Sequence, residues 1–183
     1  MANFQKTAAA LQKKTLASLM FFLMLSVLCS LPAAANPDFF PPEKLNRRII
    51  DLYNAGRYEE AMPLAVRSYR LVKLGLGENH PRMILALNNL AELQRKTGNY
   101  ADAEALLLRS LKISLDYLEK DHPAIATLLN NLALLYENQG NHSEAESLYQ
   151  RSLKIRKKAL GPKHPKVAEL VSKLAALNQE RFP

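Results

Sequence analysis

Apolar residues recur at helical spacing along the second half of the chain. The segments 129–136 and 145–152 each carry apolar or small side chains at positions i, i+3, i+4 and i+7. This spacing places such side chains on one face of an α-helix. The pattern predicts two amphipathic helices, with these face residues: Leu129, Leu132, Ala133 and Tyr136 in the first, and Ala145, Leu148, Tyr149 and Ser152 in the second.

Turn residues separate these two helices and bound them. Gly140 is expected to end the first, because glycine tolerates the left-handed conformation that a helix end needs. Asn141 is expected to cap the second, and Glu144 to complete a capping box. A Gly-Pro pair at 161–162 ends it, and Pro165 opens a further helix where its missing N–H costs nothing. The unit is a helical hairpin, and hairpins must stack to bury their apolar stripes.

The hairpin recurs along the chain. His-Pro pairs begin at residues 80, 122 and 164, at intervals of 42. Aligning 80–121 with 122–163 without gaps gives 19 identities in 42 positions, which chance does not produce. A weaker copy precedes these two and a half copy follows them. We therefore predict three hairpins, at 43–79, 80–121 and 122–163, and a closing helix at 164–183.

The small and aromatic residues of each copy follow the order of the tetratricopeptide repeat. This order is Ala133, Tyr136, Gly140, His142, Ala145, Tyr149 and Ser152 in one copy, and Ala91, Gly98, Tyr100, Ala103, Leu107 and Ser110 in the copy before it. The 42-residue period is longer than the usual period of about 34. That period and the Leu-Gly-Pro-x-His-Pro link resemble the kinesin light chain subclass. The resemblance implies an all-α fold, a right-handed α-solenoid of three hairpins with a C-terminal capping helix.

The first 35 residues are predicted to be a secretory signal peptide. Three lysines precede a 16-residue apolar run, Leu16–Leu31, and a small-residue cleavage site ends at Ala35. An uncleaved anchor is the alternative, although a spanning helix needs about 20 apolar residues. Lipid attachment at Cys29 is not expected, because Leu28 before it is not small. The sequence predicts a periplasmic or secreted protein with a linker at 36–42 and no membrane span after cleavage.

No group of residues typical of catalysis occurs in the sequence. His80, His122 and His164 lie one per repeat, and packed helices are about 8–10 Å apart, whereas zinc needs its ligands at about 2 Å. We expect these histidines to mark helix starts. No catalytic residue, metal or cofactor is predicted, and the chain is not expected to be an enzyme.

One segment of the chain is rich in cations. Such clusters can hold nucleic acid or anionic lipid, but cations also suit the last turn of a helix. No aromatic residues interleave with these cations for base stacking. Nucleic acid is therefore not expected as a partner. A weak contact between this segment and an anionic surface stays open. The segment consists of Arg151, Lys154, Arg156, Lys157, Lys158, Lys163 and Lys166.

The resemblance implies that the first helix of each hairpin lines a concave groove for a protein or peptide partner. The groove positions of the family map here to Asn46, Arg47, Ile50 and Tyr53; Asn88, Asn89, Glu92 and Arg95; Asn130, Asn131, Leu134 and Glu137; and Ser172, Lys173, Ala176 and Gln179. The candidate partner-binding residues among them are the asparagine pairs Asn88, Asn89, Asn130 and Asn131, with Arg47, Glu92, Arg95, Glu137 and Lys173 for specificity.

The paired asparagines have two physical uses. A carboxamide has donors and an acceptor, so it can hold a peptide backbone or bridge neighbouring helices, and both uses stay open. We expect these residues to lie beside the packed positions and not among them. The predicted function is an exported adaptor that binds its partner in the groove. The alternative is a structural subunit of an envelope enzyme or transport complex that uses its convex face, which exposed apolar residues on the second helices would favour.

Overall fold

The computed structural model describes residues 42–181 of the chain, so the predicted signal 1–35 and nearly all of the linker 36–42 lie outside the described residues. The described part contains seven α-helices and no strand, and it forms one compact unit that begins at Pro42. The helices are α1 (Pro42–Asn54), α2 (Tyr58–Leu76), α3 (Arg82–Lys96), α4 (Tyr100–Tyr117), α5 (Pro123–Asn138), α6 (His142–Leu160) and α7 (Pro165–Arg181). Three hairpins and a closing helix are thus present.

The turn between α5 and α6 confirms one prediction and corrects another. Gly140 has a φ of +78°, the left-handed conformation expected at the helix end. Asn141, however, makes no side-chain bond to the first turn of α6, so the predicted capping box with Glu144 does not form. The reason is that the Asn141 backbone N–H already donates to the Tyr136 carbonyl at 2.8 Å. A capping box needs that same N–H for the glutamate.

The His-Pro pairs start helices, as expected. The imidazole Nδ1 atoms of His80, His122 and His164 each accept a bond from the backbone N–H two residues on, at 3.1, 3.1 and 3.2 Å. Each imidazole satisfies one of the amides that a helix start leaves without a partner. All three histidines therefore have one structural role in three equivalent places.

Small residues occupy fully buried positions within the stack. Ala91 and Ala133 on the first helices, and Ala103 and Ala145 on the second helices, are fully buried at equivalent positions. Ile49 occupies the matching position in α1 and is also buried, packed with Leu45 and Leu52. Each described helix packs chiefly against its neighbours in the chain, which is how a solenoid is built.

Buried serines join the two helices of the second and third hairpins. Ser110 Oγ donates to the Ile84 carbonyl at 3.1 Å, and Ser152 Oγ donates to the Ala126 carbonyl at 2.7 Å. The bonds repeat with the 42-residue period. They fix the first helices, which carry the candidate residues, against the second helices.

Candidate partner-binding face

The nine candidate residues lie on the first helices of the repeats, α1, α3, α5 and α7, and the surface that these helices contribute to the stack is here called the first-helix face. Arg47 is exposed on α1, and Lys173 on α7 forms an ion pair with Glu169 at 3.3 Å. The other candidates lie on α3 and α5 and are half-buried or buried. The candidates that hydrogen bonds bring together are Asn88, Asn130 and Asn131 in one group and Glu92 with Arg95 in another.

The asparagine pairs bridge neighbouring repeats. Asn131 Nδ2 donates to Asn88 Oδ1 at 2.9 Å, and Asn131 Oδ1 accepts from Asn130 at 3.3 Å. Asn89 Nδ2 lies 3.5 Å from Asn46 Oδ1 on α1. The asparagines thus bridge neighbouring helices, which is one of their two expected uses. Partner binding by these residues stays a prediction. The expectation that they lie beside the packed positions is wrong for Asn131, which is only 9 % exposed because its carboxamide bonds across the interface between α3 and α5.

Glu92 and Arg95 form a cluster with Tyr53. Glu92 Oε2 accepts from Tyr53 Oη at 3.0 Å and from Arg95 Nη2 at 2.9 Å. The Arg95 side chain is 6 % exposed and that of Glu92 16 %. Burial and the Glu92 charge raise the pKa of Tyr53 to about 12. Burial acts to lower the pKa of Arg95, but Glu92 and Tyr53 outweigh it and raise that pKa, so Arg95 stays charged.

A second tyrosine–carboxylate pair lies on α5 and α6. The fully buried Tyr149 donates to Glu137 Oε2 at 2.6 Å, and burial followed by this bond raises the pKa of Tyr149 well above its usual range. The Arg95 charge acts against that rise. Glu137 therefore holds its own hairpin together, and its carboxylate is already engaged by the protein.

Two recesses open on the first-helix face. The α1–α3 recess has a volume of about 210 Å³ and is lined by Ile49, Ile50, Tyr53, Asn89 and Glu92. The α3–α5 recess has a volume of about 380 Å³ and is lined by Pro81, Ile84, Leu85, Asn88, Leu118, Ala124, Thr127 and Leu128. Both recesses lie between first helices of successive repeats.

Leu85 is a residue of this face that sequence reasoning missed. Its side chain is 47 % exposed, yet it is large and apolar. The position 42 residues on is Thr127, whereas the buried position Leu87 repeats as Leu129. An apolar residue that occurs in only one copy of the repeat was the available signal for a surface specific to that copy.

The second helices carry most of the exposed apolar side chains. Seven of the ten large exposed hydrophobic residues in the described part lie on α2, α4 and α6, and Leu74 is the most exposed at 85 %. This distribution is the one that favours the convex-face alternative. The seven are Leu71, Leu74, Leu76, Leu108, Leu115, Tyr117 and Leu160.

The cationic segment lies on α6, on the turn after it and in the first turn of α7. Lys158 pairs with Asp121, which lowers the pKa of that carboxyl group, and Arg156 donates to the Lys166 carbonyl at 3.4 Å. The cation–π contacts in the described region both involve Lys96, on Tyr53 and Tyr58, and none involves α6. A weak contact between this segment and an anionic surface stays a prediction.

Neither a metal cluster nor a membrane helix occurs within residues 42–181. No group of three or more potential metal ligands is present among the described side chains. No helix in that range has both the length and the apolarity needed to cross a bilayer.

A sequence profile of the tetratricopeptide repeat matches residues 43–116, 82–158 and 124–182. The chain therefore belongs to the tetratricopeptide-repeat family. No curated protein matches the chain. The solved structures that share its fold include repeats of a kinesin light chain, the subclass that the long repeat of the sequence resembles.

Three solved structures illustrate the similarity. The kinesin light chain TPR-like repeats of Podosopora anserina are 23% identical, with a TM-score of 0.69 over 77% of this chain and 68% of that chain. BtubC (BKLC) from P. vanneervenii is 21% identical, with a TM-score of 0.66 over 76% of this chain and 55% of that chain. The Yersinia enterocolitica type III secretion translocator chaperone SycD is 16% identical, with a TM-score of 0.57 over 87% and 94%. These similarities show the shared fold, an all-α solenoid of tetratricopeptide hairpins.

Proposed function

We propose that this protein is an exported, non-catalytic adaptor that binds a protein or peptide segment in a groove along its first-helix face. The observation that carries the proposal is the pair of recesses between α1, α3 and α5. Each combines apolar walls with a few placed polar groups, which is the composition of binding sites. The family supports a protein as the partner, since tetratricopeptide repeats and the chaperone SycD are associated with protein binding.

The rigid polar network around the recesses supports this function. Asn88 and Asn131 bond each other across helices, and Glu92 and Arg95 both bond Tyr53 of α1, so binding a partner does not require ordering them. A preorganised surface loses less side-chain entropy when it binds. In this proposal the network shapes the groove, and the exposed residues Ile50 and Leu85 meet the partner.

The convex-face alternative has its own supporting observation. Exposed leucines concentrate on the second helices, and contiguous exposed apolar patches mark interaction surfaces. In this alternative the protein is a structural subunit of an envelope enzyme or transport complex. The two functions differ in which helices touch the partner.

Site-specific cross-linking separates the two. The only cysteine, Cys29, lies in the predicted signal, so residues 36–183 accept a single new cysteine for a photo-cross-linker. Leu85→Cys reports on the first-helix face and Leu74→Cys on the second helices, and both parent side chains are exposed. In native envelope extract, a partner captured through Leu85→Cys and not through Leu74→Cys supports groove binding. Capture through Leu74→Cys alone rejects the groove and supports the alternative.

A further inference from the structure

The α3–α5 recess presents apolar surface that a partner can reach. Leu85 of α3 is 47 % exposed, and Thr127 of α5 is also exposed. Ile84 and Leu118 are half-buried, and Leu128 is buried. The lining therefore passes from exposed to buried side chains, so the recess has an open rim and an apolar floor.

This apolar lining is not repeated along the stack. Counting 42 residues on from Leu85 gives Thr127, and counting 42 on from Ala124 and Thr127 gives Lys166 and Glu169. Lys166 and Glu169 are both exposed on α7. The equivalent surface between α5 and α7 thus carries an ammonium and a carboxylate. Stacking of the repeats alone does not produce an apolar recess, and the one between α3 and α5 is specific to that pair of helices.

The charge and volume of the recess define a neutral, apolar occupant. None of the described side chains that line it is charged. A charged partner side chain would lose its hydration there without gaining a counter-charge. A cavity of about 150 Å³ holds a benzene molecule, so the roughly 380 Å³ here accommodates about two apolar side chains.

Asn88 supplies a hydrogen-bond donor to the lining. Its Oδ1 accepts from Asn131 Nδ2 at 2.9 Å, which fixes the orientation of the carboxamide. Its Nδ2 donates to no described residue and is accessible to solvent. A backbone carbonyl is a matching acceptor. Carbonyls inside a helix already accept from that helix, so the match is to an extended segment.

An extended segment can also place two side chains in one recess. Successive side chains of an extended chain point to opposite sides, so alternate residues point to the same side, about 7 Å apart. Two apolar residues separated by one residue would therefore enter the recess together, whereas two adjacent apolar residues would not.

We propose that the α3–α5 recess binds an extended segment of a protein partner through two aliphatic side chains at alternate positions, which pack against Leu85, Leu118 and Leu128. Asn88 Nδ2 donates to a backbone carbonyl of that segment. This proposal rests on the proposed groove binding and names the kind of segment that the groove selects.

The test compares two acetylated and amidated pentapeptides of the same composition, Gly-Leu-Ser-Leu-Gly and Gly-Leu-Leu-Ser-Gly. Ligand-observed NMR titrations measure their binding to residues 36–183. We expect the alternating peptide to bind at least about tenfold more tightly, because only it can bury both leucines; tenfold is about 1.4 kcal/mol and is within what burial of one leucine contributes. Equal binding of the two peptides, or no measurable binding of the alternating one, overturns the proposal.

Two variants with a matched control locate the subsite. Leu85→Asp places a charge at the exposed rim and should weaken the alternating peptide at least about tenfold, which removes the preference. Leu74→Asp makes the same change at a side chain that is 85 % exposed on α2, and it should keep the preference. Retention of the preference in Leu85→Asp, or its loss in Leu74→Asp, overturns the proposal.

Asn88→Asp tests the backbone bond. Aspartate keeps an acceptor for Asn131 Nδ2 but replaces the free donor with a second acceptor. Both peptides should bind more weakly by a similar factor, and a thermal melt checks that the variant is folded. Unchanged affinity of both peptides would overturn the assigned role of Asn88.

Other occupants give distinct results. Self-association that Leu85→Asp abolishes, measured by sedimentation, would show that a second copy fills the recess and would overturn the partner assignment. Absence of a peptide preference, together with partner capture through Leu85→Cys, rejects the subsite alone and leaves groove binding supported. Capture only through Leu74→Cys rejects the groove itself.

Discussion

Asn131 on α5 donates to Asn88 on α3 at 2.9 Å, so a carboxamide that could serve a ligand instead joins two repeats. The bond links residues 43 positions apart in the chain. It makes the first-helix face part of what holds the solenoid together. Two candidates for partner binding therefore contribute to the stability of this protein.

Replacing Asn131 with Ala should destabilise the protein. The change removes a buried donor and leaves Asn88 Oδ1 without its partner, which typically costs about 1–3 kcal/mol. Urea unfolding followed by circular dichroism measures the free energy of unfolding. Asn130→Ala, at a half-buried position, is the control and should cost less. Equal losses in both variants would show that the bridge contributes nothing of its own.

Ala133→Leu should lower the melting temperature. Ala133 is fully buried between helices, and overpacking such a position costs about 1–3 kcal/mol. Ala105→Leu makes the same change at an exposed position of α4 and should have little effect. An unchanged melt for Ala133→Leu would contradict the close packing at this position.

His122→Ala should weaken the start of α5, whereas His122→Asn should largely preserve it. The imidazole Nδ1 accepts from the Ala124 N–H, and loss of a side-chain cap costs about 0.5–2 kcal/mol. Asparagine keeps an acceptor at this position, so it should restore most of the stability. Thermal melts of the two variants give the comparison. Partner capture through Leu85→Cys should survive the asparagine change, because the histidine has a structural role.

The protein should lose stability at alkaline pH. Burial together with the Glu92 charge raises the pKa of Tyr53 to about 12, and the bond to Glu104 together with burial raises that of Tyr136 to about 12. A tyrosine in an unfolded chain has a pKa of about 10. Above that pH the unfolded chain loses phenolic protons that the folded chain keeps, so the free energy of unfolding falls as the pH rises from about 10 to about 12.

Tyr53→Phe should make this alkaline decline shallower, because it removes one of the retained protons. Urea titrations at a series of pH values measure the slope. Tyr117→Phe, at a side chain that is 56 % exposed, serves as the control and should leave the slope as it is. A decline that is equally steep in the wild-type chain and in Tyr53→Phe would remove Tyr53 from the explanation.

The exported form should begin at Asn36. The cleavage site ending at Ala35 motivates this expectation. Mass spectrometry of the protein recovered from the envelope or medium determines the first residue. Recovery of Met1 in a membrane fraction would instead support an uncleaved anchor.

The sequence by itself determined the features that depend on local spacing. The positions of the hairpins, the glycine that ends α5, the His-Pro helix starts and the small residue Ala133 all repeat with the 42-residue period, and each follows from neighbours within about two helical turns. Helical periodicity is a local property, so a single sequence carries it.

Only the tertiary structure decided how the polar side chains are used. Asn131 faces Asn88 across repeats, Arg95 is buried against Glu92 and Tyr53, and the Asn141 N–H bonds back to Tyr136 in place of a capping box. A carboxamide or carboxylate has several possible partners within its own helix and across the interface. Which partner it takes depends on how the helices are set against one another, and residues about 40 positions apart do not reveal that by their spacing.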